Sequence, residues 1–292
     1  MTLISLLIAL LLDRFLSPFK EWKQLDLFKR YARKLCDLLS RYGDADSYLG
    51  LALVLLPVLV VVSLAQEILE DFMFGLGGLV FSIVVLMLML GRNVEEDVEG
   101  FIEAYANDDE DKVSEATKDI VGEREFATAR DRLQGVIETL LVQSNHSLFA
   151  VVFWFLLLGP VGAVLYRLSE ELTHHDDICG NRLADRAAGW LALLDWAPAR
   201  LTALGFGLTG SLEQALTALR YHFFNGFVSL AADNRAVLSS AGTGAMMLDD
   251  YLKDDVDAGM VSTVMGLLSN LLMRTLVVWI VVIALMTIAN IF

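Results

Sequence analysis

Residues 139–166 read TLLVQSNHSLFAVVFWFLLLGPVGAVLY, a run without one Asp, Glu, Lys or Arg. About 18 or more such residues suffice to cross a hydrocarbon core of about 30 Å. Residues 47–66, 72–91 and 275–292 share the property. The 292-residue chain is 56% hydrophobic, above the roughly 45–50% apolar usage of soluble domains. With no water in the bilayer core, a spanning segment must satisfy its backbone groups internally, as a helix does. The expected fold is therefore an all-α, polytopic integral membrane protein. It has at least four transmembrane helices plus amphipathic and cytoplasmic helices, and is read as one membrane domain over 1–292.

Two further stretches are open. Met1 to Leu12, followed by Asp13 and Arg14, is a marginal fifth span. It is read as retained, because no basic region precedes it and no small-x-small cleavage pattern follows. Residues 201–219, LTALGFGLTGSLEQALTAL, carry only Glu213 as a charge and are long enough to cross or re-enter. Pro198 stands just before them.

Orientation follows from Lys and Arg. Lys20, Lys23, Lys29, Arg30, Arg33, Lys34 and Arg41 form the densest basic cluster, which places 18–46 in the cytoplasm. Within it Phe28, Tyr31, Ala32, Leu35, Leu38 and Leu39 recur at helical spacing. That pattern suits a basic amphipathic helix on the inner leaflet, or equally one packed on its own domain. The turn from Glu67 to Asp71 has acids and no base, which suits the opposite face. Threading then puts 92–146 in the cytoplasm, 167–270 outside and the C-terminus inside, unless 201–219 crosses and returns 220–270 to the cytoplasm.

Residues 92–147 hold fifteen acids against six bases within a net charge of −15, so nucleic acid is excluded as a partner. This acidic region reads as a helical hairpin broken near 107–111 and again at Gly122. The runs Asn107-Asp108-Asp109-Glu110-Asp111 and Asp254-Asp255-Val256-Asp257 lack EF-hand spacing and read as solvated loops. His174-His175-Asp176-Asp177 lacks a third ligand at the usual spacing, so no metal site is expected. Cys36 and Cys179 show no spacing pattern that marks a metal site or a disulfide framework. No phosphate-binding loop or nucleophile elbow occurs.

Polar residues at the edges of the apolar runs supply the candidate site. Glu138 immediately precedes the quoted run and reads either as a functional acid or as an interface marker. In Gly159-Pro160-Val161-Gly162-Ala163-Val164-Leu165-Tyr166-Arg167, Pro160 can kink the span, and Tyr166 and Arg167 suit an interfacial anchor. In LDWAPARL (194–201), Asp195 is expected to cap a helix with Pro198 in its first turn. Arg200 in that turn would either clamp an anion beside the helix start or pair with Asp195 or Glu138.

The order GEREFATARDRLQGVIE (122–138), FWFLLLGPVGAVLYRL (153–168), LDWAPARL (194–201) resembles the CobD/CbiB–AmpE superfamily of bacterial inner-membrane proteins. MTLISLLIALLLDRF and EWKQLDLF (21–28) are closer to its AmpE branch. Membership of the synthase branch would imply ATP-dependent amide-bond formation by an adenosylcobinamide-phosphate synthase, with ATP and magnesium as cofactors. The AmpE branch implies a regulatory protein tied to β-lactamase induction and cell-wall recycling or envelope stress. Glu138, Phe153, Trp154, Tyr166, Arg167, Pro198 and Arg200 match the superfamily pattern. Val142, Gln143, His146, Ser147, Glu170, Thr173 and Leu191-Ala192 stand where the synthase branch carries its acids and asparagines.

Magnesium favours oxygen ligands, and most of those carboxylates are replaced. The resemblance therefore implies a kept scaffold with a changed function: a signalling protein of the AmpE type, leaning away from catalysis, with no cofactor. Its implied partners are the lipid bilayer and a small anionic cell-wall-derived ligand or a cytoplasmic protein. A divergent ligase using Glu138, Arg167 and Arg200 is the alternative, and a scaffold docking a basic partner through 92–147 a third.

Overall fold

The computed structural model describes residues 2–15, 26–40, 48–70, 75–107, 109–174, 181–223, 230–253 and 255–289. Every regular element among them is helical. Four helical stretches are long and apolar enough to cross a membrane: Tyr48–Glu70, Leu76–Ala106, Ala129–Leu158 and Ala258–Ile288. The protein is an all-α polytopic membrane protein. The N-terminal apolar stretch forms the shorter helix α1 (Thr2–Phe15). Asp176 and Asp177, Cys179, Lys20, Lys23, Arg41 and Asp254 lie outside the described residues.

The chain divides into two compact units, one of residues 1–91, 150–195 and 286–292, the other of 92–149 and 196–285. In the first unit α1 packs on α4 (Leu76–Met89), which also contacts α3 (Tyr48–Glu70), α8 (Ala150–Leu158) and α9 (Pro160–His174). Helix α2 (Asp26–Ser40) rests on α3. Its Phe28, Ala32 and Cys36 are buried on one face, while Leu38, expected on that face, is exposed.

Two sequence expectations are corrected in this unit. The run 139–166 is not one crossing, because the helix stops at Leu158. Gly159 adopts φ +65° there, a left-handed conformation that suits glycine, and Pro160 opens α9. Cys36 is disulfide-bonded, although the sequence offered no disulfide spacing pattern.

In the second unit the acidic region folds as α5 (Val94–Ala106), α6 (Glu110–Val121) and α7 (Ala129–Ser144), with the breaks where the sequence placed them. Each start has a capping side chain: Asn93 accepts from the Glu95 N–H, Asp109 from those of Asp111 and Lys112, and Thr128 from that of Asp131. Asp109, in the acidic run, is thus a helix cap. Gly122, at φ +79°, ends α6.

Helix α7 packs against α12 (Leu230–Ala245), itself paired with α11 (Leu212–Phe223). Together with the end of α10 (Asn181–Thr209) and with α14 (Ala258–Ile288), they enclose Phe101, Leu133, Ile137, Leu140, Phe149, Phe206, Leu238, Val264 and Leu268. Residues 201–219 form two helices rather than one span. The chain breaks at Gly210, where a Cβ would meet the Ala245 carbonyl oxygen at 2.5 Å, and the Ser211 N–H donates to that oxygen. The fourth crossing starts earlier than the uncharged run, at Ala258, and contains Arg274.

Close helix approach in the first unit depends on Gly162, whose Cβ would lie 2.1 Å from the Trp154 carbonyl oxygen. Gly162→Ala is expected to destabilise by about 1–3 kcal/mol. Gly100→Ala, at an exposed helical position with open space around it, should be neutral or stabilise by up to about 1 kcal/mol. Thermal unfolding of the two variants in detergent checks the contrast.

Candidate functional site

Tyr166, Arg167 and Asp195 belong to the first unit; Glu138 and Arg200 belong to the second. In the first, α9 carries Tyr166, Arg167, Glu170 and Glu171 over little more than one turn. Tyr166 is completely buried, and its hydroxyl donates to Asp195 Oδ1 at 2.6 Å. Asp195, on α10, is itself buried. Arg167 Nη1 donates to Glu170 Oε2 and its Nη2 stands 3.9 Å from Glu171 Oε2. Lys29 of α2 reaches Glu171 Oε1 at 2.9 Å. Two buried acids therefore face two bases, as low-dielectric surroundings require. On α2, burial raises the Tyr31 phenol above its ordinary value.

Pro198 is not at a helix start. It stands inside α10, which runs unbroken from Asn181 to Thr209, so Asp195 is no cap. A proline in a helix interior has no N–H for the carbonyl four residues earlier, here that of Leu194. The Trp154 indole N–H donates to that Leu194 oxygen at 3.2 Å. A side chain from α8 supplies the hydrogen bond that the proline withholds. Pro160, by contrast, does open a helix.

In the second unit Arg200 is buried. Its Nη1 donates to the Trp196 carbonyl at 3.0 Å and to Asn234 Oδ1 at 2.9 Å, and its guanidinium carbon lies 4.7 Å from the Trp196 ring centroid. Burial lowers its pKa, and the Asp233 carboxylate on α12 opposes that shift. Glu138, half-buried on α7, accepts from Gln134 Nε2 at 2.8 Å.

Three features escaped the sequence. Asn145 lies fully buried in a π-helical turn (Asn145–Phe149), accepts from Thr202 at 3.0 Å, and leaves its Nδ2 without a hydrogen bond. Its signal was the polar Gln143-Ser144-Asn145-His146 inside an uncharged run. Asp97 is buried on α5, paired with Arg92 and accepting from Gln143 at 3.2 Å. It borders a charged cleft of about 320 Å³ between α5 and α6. Asn234 and Lys29, as partners of Arg200 and Glu171, had no local signature. No group of three metal-ligating side chains occurs among the described residues.

What this arrangement does chemically is hold charge in fixed pairs: a phenol on a carboxylate, a guanidinium on another, an arginine fork on an amide and an indole. Trp154→Phe strands the Leu194 carbonyl and should cost about 1–3 kcal/mol. Pro198→Ala restores the helix N–H, so the Trp154→Phe/Pro198→Ala double variant should recover most of that loss. A double-mutant cycle on thermal stability reads the coupling.

The comparisons agree with the resemblance. The family described as regulatory signalling modulator protein AmpE matches residues 1–291. A cobalamin biosynthesis protein CobD of Stutzerimonas stutzeri (strain A1501) is 32% identical over 229 residues, 74% of this chain and 73% of its own. A CobD of Chromobacterium violaceum is 33% identical over 118 residues, 39% of this chain and 36% of its own. No solved structure matches. The match along almost every residue, over a helical membrane scaffold, places this chain in the AmpE family of regulatory signalling modulator proteins.

Proposed function

We propose that this chain is a regulatory protein of the bacterial inner membrane that links cell-wall recycling, or envelope stress, to β-lactamase induction. The observation that carries the reading is the AmpE family match over residues 1–291. The internal pairing of its buried polar groups supports it. Tyr166 is committed to Asp195, Arg167 to Glu170, and Arg200 to Asn234 and Trp196. A signalling membrane protein needs such pairs to hold its helices, whereas an ATP-dependent ligase needs carboxylates presented to a metal-bound nucleotide. Under this reading a small anionic wall fragment or a cytoplasmic protein is the partner.

Deleting the gene should change induced β-lactamase activity and the pool of cytoplasmic wall fragments, and complementation should restore both. Unchanged values for both would sink the reading.

The CobD relative, which aligns over 229 residues, favours one alternative: a divergent ATP-dependent amide-forming enzyme of the adenosylcobinamide-phosphate synthase type. Glu138 would act there as acid, base or metal ligand. Purified protein given ATP, magnesium and cobinamide-pathway substrates would form the amide, and Glu138→Gln would abolish it. The regulatory reading expects no turnover in that assay.

A further inference from the structure

The first unit contains an apolar groove of about 620 Å³ that the regulatory reading does not use. Its wall on α3 is Tyr48, Leu51, Leu55, Leu56 and Leu59, and its wall on α10 is Gly189, Trp190 and Leu193. Helix α3 is a crossing helix, and Tyr48 stands at its first residue. Tyr48, Leu56 and Leu193 remain about half exposed, so the groove opens along a face that lipid bathes. Tyr48 to Leu59 covers eleven helical steps, about 16 Å at 1.5 Å per residue. That is the depth of one leaflet of a hydrocarbon core about 30 Å thick.

Polar groups gather at one end only. Arg186 is exposed on α10, makes no ion pair among the described residues, and holds its guanidinium carbon 5.1 Å from the centroid of the Tyr48 ring. One turn further along, the Trp190 indole N–H is buried without a hydrogen-bond partner. Arg186, Gly189, Trp190 and Leu193 follow at helical i, i+3, i+4, i+7 spacing, so they share one stripe of α10. From the membrane boundary inward, that stripe presents a cation, a lone N–H donor and then hydrocarbon. A glycerophospholipid presents the matching order: an anionic phosphate, an ester carbonyl, an acyl chain.

We propose that this groove is a binding site for one bilayer phospholipid with an anionic headgroup. The phosphate rests on Arg186, an ester carbonyl accepts from Trp190 Nε1, and one acyl chain lies between α3 and α10. The glycine at 189 keeps the groove open: a Cβ there would meet nothing closer than the Tyr48 hydroxyl, at 3.6 Å. Gly189→Leu therefore fills the groove without clashing with backbone and raises helix propensity. It blocks the chain while leaving the fold intact.

The test is native mass spectrometry of the full chain, released from nanodiscs of equimolar phosphatidylglycerol and phosphatidylcholine, with thermal unfolding as the folding control. The wild type should retain one phosphatidylglycerol in preference to phosphatidylcholine. Gly189→Leu should lose that lipid at unchanged unfolding temperature. Arg186→Gln should keep a lipid but lose about fivefold of the headgroup preference, the worth of one basic residue near an anionic surface. Trp190→Phe should abolish the preference for ester-linked over ether-linked phosphatidylglycerol.

Equal retention of the two headgroups by the wild type overturns the proposal, as does undiminished retention by a folded Gly189→Leu. A wild-type dimer that Gly189→Leu converts to monomer also overturns it, since the groove would then seat a second copy. None of these outcomes depends on β-lactamase induction, so this proposal and the regulatory reading fail separately.

Discussion

A proline in the middle of a long helix leaves a carbonyl without a donor, and inside a membrane protein that carbonyl has no water to turn to. In this chain the Leu194 carbonyl is in that position, and the Trp154 indole answers it. The next residue, Asp195, receives the Tyr166 hydroxyl. Two consecutive residues of α10 thus hold α8 through Trp154 and α9 through Tyr166. Those two helices are themselves locked at Gly159 and by the approach of Gly162 to the Trp154 backbone. The hairpin and the helix it grips form one mutually dependent joint, in which the Leu194 carbonyl and the Asp195 carboxylate have donors because each neighbour is where the others require it.

The same constraint governs the charges. An ion carried out of water costs several kcal/mol even after the protein relaxes. Glu170 and Glu171 are buried, and each stands beside a base: Arg167 for the first, Lys29 and Arg167 for the second. Lys29 comes from α2, so one ion pair ties a basic amphipathic segment to α9. Asp97 repeats the arrangement in the other unit with Arg92 and Gln143. These pairs specify which helix faces meet more than they add net stability, because the Coulombic gain is largely offset by desolvation.

The fold class was legible because uncharged length is a one-dimensional property: the long apolar runs, and an acidic region broken near 107–111 and at Gly122, follow from local chemistry, whereas the caps Asn93, Asp109 and Thr128 and the helix opening at Pro160 did not show in it. The interior position of Pro198 was not legible, since its tolerance depends on Trp154, forty residues before Leu194. Nor was the break at Gly210, which reflects the close approach of Ala245. Of the candidate residues, Tyr166, Arg167, Asp195 and Arg200 stood out by their unusual polarity, but the groups near them, Asn234, Glu170 and Lys29, carried ordinary local patterns.

Most superfamily-matching residues have structural work that needs no shared reaction. Trp154 and Pro198 are coupled through one carbonyl. Tyr166 binds Asp195, Arg167 binds Glu170, and Arg200 bridges Trp196 and Asn234. The positions that depart from the synthase pattern behave differently: Gln143 serves Asp97, and Glu170 serves Arg167. A scaffold whose joints are set by such internal pairs can change chemistry at its remaining positions without refolding, so an arrangement of helices does not by itself fix what a protein does.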